Sequence, residues 1–394
     1  MNLDALKARA AAAVERERAA LLDLSARIHA HPELCYDEYR AAGWLADYLE
    51  SRGFAVERRA YGLPTAFAAR LGSGRPQVAV LCEYDALPGI GHACGHNIIA
   101  AAGAGAGVAL AAVIAETGGS VVVLGTPAEE GGGGKVRMGR EGAFGDVDAA
   151  MMVHPAGLEL AAMDVLAVSA LEVEYRGRAA HASAAPHQGI NALDGLVTAY
   201  QAIAQLRQHI RHTERLHGII TDGGQAPNIV PERAAGLFFV RAASEHRLAA
   251  LKRRVEGCFH AGAVASGAEY QVRPVGDDYS EMWSNEPLVA AYRANLEPFG
   301  RTLDEAPGAA VSGSTDMGNV SKLVPSIHPM ISIAPPHVAL HTHEFAQYAA
   351  SPEGDRAVVD GATVLAMTGI DVLCTPALRQ AMAADFAQRK STER

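Results

Sequence analysis

Residues 91–97 read GHACGHN and set His92, Cys94 and His96 in a turn that follows an apolar run and opens a small-residue helix. Downstream, TPAEEGGGGK places two carboxylates side by side, Glu129 and Glu130, and MMVHPAG adds His154. Thiolate, imidazole and carboxylate together are the ligand set of zinc and similar divalent ions. A Cys-x-His pair alone is a weak signal, because an isolated Cys94 reads better as a buried structural thiol than as a ligand. Adjacent carboxylates add what a ligand set lacks: one can bind metal while the other stays free as a base for a water acidified by the metal.

These residues can act together only if the elements around them converge. Val78 to Cys82 is a continuous apolar run, as expected of a strand buried on both faces of a parallel sheet, and Asp85 lies just past its end. A second run at 120–124 delivers Glu129 and Glu130, and a third, DAAMMV, delivers His154. All three strand ends fall on the rim where open α/β sheets bind ligands, and a late histidine in LHTHEF completes the candidate set. One long helix is expected from Leu3 to about His29 and a second from about Asp37 to Arg52, stopped by Gly53. The Ala/Gly-rich stretch IIAAAGAGAGVALAAVIA reads as a buried helix rather than a membrane span.

Past Leu166 the texture changes. ALEVEYRG alternates apolar Leu171, Val173 and Tyr175 with polar neighbours, the pattern of a strand with one wet face. A helix over about 190–209, the strands RLHGIITD and AAGLFFVRA, a helix over about 245–261 and the strand EYQVRPV then complete a β-α-β-β-α-β order, the ferredoxin-like arrangement. The chain is therefore expected to hold a catalytic α/β domain in two parts, 1–166 and 278–394, with an inserted α+β domain at 167–277. In the second part follow a helix, the turn VSGSTDMGNVS, an apolar strand near Pro329 to Ala334 and a closing helix.

Composition removes several function classes. A net charge of −10 without clustered Lys and Arg argues against nucleic acid as a partner. The five cysteines suggest reduced thiols rather than a disulfide framework, and the charged amino-terminal pattern has no apolar core of a secretory signal, so a cytoplasmic location is expected, with no membrane partner. GGGGK at 131–135 lacks the first glycine and the terminal Ser or Thr of a P-loop, and the GAGAG run at 103–107 sits inside a helix, so neither glycine cluster reads as a phosphate cradle.

From HPEL at 31–34 through EYDALPG, GHACGHN, TPAEEGGGGK, MMVHPA, GRAAHASAAPHQGINALD, PNIVPERA and GSTDMGNVS to LHTHEF, the chain resembles the M20 family of metallopeptidases. Within it the resemblance is to the amidohydrolase branch and to aminobenzoyl-glutamate hydrolase subunits and β-alanyl dipeptidases. The resemblance implies an α/β/α catalytic domain with an inserted ferredoxin-like lid and dimerisation domain, hence a homodimer. It also implies two divalent ions per subunit, zinc or manganese first and cobalt or nickel as alternatives. Cys94 would bridge them, with His96 and His154 completing one site and Glu130 and His341, rather than His343, the other. Glu129 would be the general base and Asp85 would orient a ligand, while Glu83 stands where other branches place a metal-binding histidine. Asn97 replaces an Asp common in these amidohydrolases, and His92 would be structural. His181 would reach across the dimer to stabilise the oxyanion, and Asn228 and Arg241 would bind a substrate carboxylate. The implied function is hydrolysis of an amide or peptide bond in small N-acyl amino acids or dipeptides by a metal-bridging hydroxide. The alternative is a non-catalytic or paired subunit of an amidohydrolase complex that binds the same ligands.

Overall fold

The computed structural model describes residues 2–304 and 313–392, so Val311 and Ser312 of the VSGSTDMGNVS turn lie outside the described residues. Numbered along the chain, β1 (Ala55–Arg58), β2 (Phe67–Ser73), β3 (Gln77–Glu83), β4 (Gly119–Thr126), β5 (Ala149–Met151) and β6 (His154–Ala156) precede an inserted segment. That segment carries β7 (Ala167–Arg176), β8 (Arg215–Asp222), β9 (Arg233–Ala242) and β10 (Glu269–Pro274), after which come β11 (Ser326–Ile327) and β12 (Met330–Ser332). The described residues divide into two compact units, one of 2–164, 282–304 and 315–392, the other of 165–281 with 313 and 314.

The first unit is built on a six-stranded sheet in the order β1-β2-β4-β3-β5-β11. Strands β4, β3, β5 and β11 run parallel, as their continuous apolar sequences require, and every residue of β3 past Gln77 is buried. The sheet is mixed rather than parallel throughout, because β1 and β2 pair antiparallel to each other and β2 to β4. Neither carries an apolar run as long as those of the parallel strands β3 and β4. Register sets Glu83 opposite Thr126, so the chain leaves β3 towards Asp85 and β4 towards Glu129 on the same rim. His154 does not simply follow β5; it opens β6, which pairs in parallel with β12 at Met330.

Three helices, Leu3–Ala30, His96–Ala111 and Pro352–Cys374, pack on one another, and the middle one also packs on β3. Small residues permit that contact: a Cβ on Gly103 would stand 2.6 Å from the Leu81 carbonyl oxygen and 2.8 Å from Cys82 Sγ. The GAGAG run thus serves close packing of helix on sheet. Among the described residues, Pro352–Cys374 is long and apolar enough to cross a membrane, but 78% of its apolar window is buried, as in a core helix.

The second unit is an antiparallel sheet in the order β10-β7-β9-β8. Helices Ala192–Leu206 and Glu245–Ser266 share a core with Leu171, Val173 and Tyr175 of β7, so the alternation in that strand marks its covered face. Element order and strand order together are those of the ferredoxin-like fold.

Gly103→Ala is expected to lower the urea-unfolding free energy by about 1–3 kcal/mol, since backbone oxygen and a buried sulfur must give way. Gly43→Ala, in helix Tyr39–Glu50 with nothing within 4 Å of the added carbon, should instead raise it by about 0.5–1 kcal/mol. Equal effects of the two would contradict the packing account.

Candidate metal centre

Asp85 organises the rim. Its Oδ1 lies 3.0 Å from His96 Nδ1 and its Oδ2 accepts the Glu130 backbone N–H at 2.9 Å, so one buried carboxylate orients two expected ligands from two turns. A proton on Nδ1, facing Asp85, leaves Nε2 with its lone pair, the usual way a metal-binding imidazole is set. His96 Nε2 and Glu130 Oε1 are both buried and have no hydrogen-bond partner within the described protein.

Around these atoms the donor set closes. The ligand atoms of Cys94, His96 and His154 lie within 4.8 Å of one another, and so do those of Cys94, Glu130 and His341, with Cys94 common to both groups. Cys94 Sγ is 3.4 Å from His154 Nε2, and His341 Nε2 is 3.5 Å from Glu130 Oε1. The loop carrying His341 is anchored beside the cysteine turn by its own N–H, which donates to the Ala93 carbonyl at 2.9 Å, with the backbone at φ 62°. His341 therefore faces Glu130, whereas His343 opens helix His343–Tyr348.

The electrostatics call for cations. Glu83, Asp85, Glu129 and Asp316 are all buried here, and Lys135, also buried, is ion-paired to Glu83 and Asp316. Burial, then Glu130, pushes the Cys94 thiol well up, so a thiolate there needs a positive charge beside it. The adjacent carboxylates are set apart. Burial, then Glu83 and Glu130, raises Glu129 well above the usual carboxylate range. For Glu130 burial acts upward too, but the neighbouring imidazoles of His341, 3.5 Å from Oε1, and of His96 overrule it and hold the group low. Divergent neighbours of this kind assign roles: Glu130 is suited to ligation and Glu129 to carrying a proton. The residues therefore fit a metal centre.

Lys135, Asp316 and His328, to which the sequence assigned no role, stand beside the donors, together with Glu83, Asn97 and His92, which it did name. Glu83 lies 3.6 Å from His96 Nε2 through one oxygen and meets the Lys135 ammonium through the other. Lys135, from the GGGGK run, donates its backbone N–H to Asp316 at 2.9 Å and its ammonium to the same carboxylate at 2.6 Å. His328 is buried with its ring 5.4 Å from that of His154. Asn97 straps the helix start, donating to Ser25 Oγ and to the Ala349 carbonyl, both at 2.9 Å, and His92 is buried beside His29. Both have structural contacts.

The remaining expected residues lie in the second unit. His181 Nδ1 accepts from the Ser183 and Ala184 backbone N–H groups at 3.3 and 3.2 Å, which leaves its proton on Nε2 as an outward donor. Asn228 is its neighbour, its carbonyl accepting the Ala182 N–H at 3.0 Å. Arg241 is not: it lies near the far end of β9 from Arg233, eight residues along, about 26 Å at the rise of an extended strand. There its guanidinium donates to Ser314 Oγ at 2.6 Å.

A mixed α/β sheet that ends in Cys, His and Glu donors with a spare carboxylate defines a metal-dependent hydrolase. The chain belongs to peptidase family M20/M25/M40, whose sequence model matches residues 79–366. It is 39% identical to a Xaa-Arg dipeptidase of Mus musculus over 402 residues, covering 98% of this chain and 93% of that protein. It is 38% identical over 251 residues to one subunit of the p-aminobenzoyl-glutamate hydrolase of Escherichia coli, covering 58% of this chain and 52% of that one. In fold it matches a dinuclear metal binding peptidase of the M20 family from Bacillus subtilis, with a TM-score of 0.70 at 18% identity, over 91% of this chain and 99% of that chain.

One pH effect follows from Glu38, a buried carboxyl beside the Glu129 turn. Burial, then Asp85, pushes it up to about 7 from 4.5. A raised acid contributes most to stability below 4.5 and loses that contribution as pH rises through 7. The stability of Glu38→Gln relative to wild type should therefore increase between pH 5 and pH 8, by on the order of 2–3 kcal/mol in urea unfolding. A difference independent of pH would contradict the assignment.

Proposed function

We propose that this M20-family hydrolase cleaves the amide or peptide bond of small N-acyl amino acids or dipeptides at a centre of two divalent ions. The single observation that carries the reading is the juxtaposition of Glu129 and Glu130, oppositely tuned, beside two donor groups that share Cys94. The relatives named as a dipeptidase and as part of a hydrolase support an amide substrate. Cys94, His96 and His154 would hold one ion and Cys94, Glu130 and His341 the other. Ions so held would supply Lewis acidity, polarising the scissile carbonyl and lowering the pKa of the attacking water.

The rest is done by side chains. Glu129 takes the proton as the water oxygen bonds to the carbonyl carbon, then delivers it to the amine nitrogen as the C–N bond breaks. Asp85 keeps His96 in the ligating tautomer. His181, through its Nε2–H, would donate to the oxyanion. Since Asn228 sits with His181 and Arg241 does not, Asn228 and Arg241 of one chain are not expected to share a carboxylate. We infer that His181 and Asn228 serve a second copy's centre, and that Arg241 binds a substrate carboxylate. A homodimer through the inserted unit is supported by edge strand β8, where Ile219 is 62% exposed. Five free cysteines suit a reducing cytoplasm.

Glu129→Gln should reduce kcat by at least about 1,000-fold while metal per chain stays at the wild-type value. Unchanged turnover would remove the base, and an assay across zinc, manganese, cobalt and nickel would identify the working metal. Arg241→Ala should raise KM by about tenfold or more for substrates with a free carboxylate and leave amidated analogues unaffected. Preference for amidated analogues in the wild type would overturn the role of Arg241.

A further inference from the structure

The turn that carries Glu129 is gripped from outside by buried carboxylates of three elements. Asp85 Oδ2 accepts the Glu130 N–H and Asp316 Oδ2 the Lys135 N–H, each at 2.9 Å. The third, Glu38, comes from the segment between the first two helices and accepts the Ala128 N–H at 2.9 Å through Oε1. Ala128 immediately precedes Glu129 and holds φ at 60°, a conformation an alanine adopts only under external constraint.

Glu38 is itself fixed. It is fully buried; Oε1 also accepts the Tyr36 N–H at 2.9 Å, and Oε2 accepts the Thr65 hydroxyl at 2.8 Å. The same segment grips the turn a second time, where the Tyr36 hydroxyl donates to the Gly132 carbonyl at 2.5 Å. A Cβ on Gly132 would meet the Tyr36 ring at 2.5 Å, so the two segments are in tight contact. A carboxylate buried against a backbone N–H in a turn fixes a dihedral angle rather than a ligand. Here that dihedral aims the Glu129 side chain.

We propose that Glu38 is a positioning residue for the hydrolytic reaction, acting through the Ala128 N–H to hold Glu129 where it can take and return the proton. This rests on Glu129 being the base. Glu130, held separately by Asp85, is independent of the clamp, so metal binding and proton transfer should respond differently to its loss.

The test uses the full metal-loaded chain with Glu38→Ala, Glu38→Gln and Glu129→Gln, singly and with the two Glu38 variants each combined with Glu129→Gln. Glu38→Ala should lower kcat by about 100-fold with KM and metal per chain within about threefold of wild type, as for a misplaced catalytic group. Glu38→Gln, which keeps the acceptor at Oε1, should stay within about threefold of wild type. Hydrogen exchange at the Ala128 amide should accelerate in Glu38→Ala and not in Glu38→Gln. In the Glu129→Gln background, Glu38→Ala should cost less than about threefold more. Wild-type kcat in Glu38→Ala, an equal loss in Glu38→Gln, a loss that only tracks lost metal, or a full further loss in the double variant would each overturn the clamp. If Glu38→Ala does not fold, Glu38→Asp, one methylene too short to reach Ala128, takes its place with the same expected loss. An active Glu129→Gln would remove the base itself, whereas an inert Glu129→Gln beside a fully active Glu38→Ala would remove only the clamp.

Discussion

One carboxylate joins the two donor groups of the candidate metal centre. Asp85, buried just past β3, bonds the His96 ring with one oxygen and the Glu130 backbone with the other. The cysteine-histidine turn and the glutamate turn, 34 residues apart between His96 and Glu130, thereby share a single rigid reference. A ligand set assembled from separate loops needs such a tether, because each loop by itself has freedom to spoil the geometry. Parallel pairing of β3 with β4 places the tether within reach of both turns.

Concentrated negative charge is the other side of this design. Glu83, Asp85, Glu129 and Asp316 lie buried around one cation, Lys135, which joins two of them. Buried charges are tolerated when paired and hydrogen-bonded. Lys135 and the turn amides supply part of that compensation, and divalent ions in the donor groups would supply the remainder. The same crowding separates Glu129 from Glu130: burial and then neighbouring Glu83 disfavour charge on the first, while on the second His341 and His96 outweigh burial and favour it. Two identical side chains, adjacent in sequence, thus acquire different chemistry from their surroundings.

The inserted unit contributes through its own geometry. Because β9 is extended, its two ends are far apart, and the strand places His181 and Asn228 near one end and Arg241 near the other. A single carboxylate cannot be read from both ends. Ile219 stands 62% exposed on the edge strand β8, and the proposed division of these groups between two chains rests on that strand geometry.

Much of this was readable from residues alone. Continuous apolar runs in β3, β4 and β5 marked the buried parallel strands, alternation in β7 marked the half-covered sheet, and residue chemistry at the strand ends marked Cys94, His96, Glu130 and His154 as candidate donors. Local pattern suffices there because side-chain periodicity reports burial directly. Pattern could not reveal that Glu38 holds Ala128 from 90 residues away, that Lys135 meets Asp316 across 181, or that His341 turns towards Glu130. Nor could β1 and β2, whose apolar stretches are broken by arginine or glutamate, announce an antiparallel edge. The sequence by itself determined which elements form and which side chains can bind metal or carry a proton. Tertiary structure alone decided which buried charges meet and how each adjacent glutamate is tuned, since Coulombic and hydrogen-bond terms depend on distance and dielectric, and neither is written in residue order.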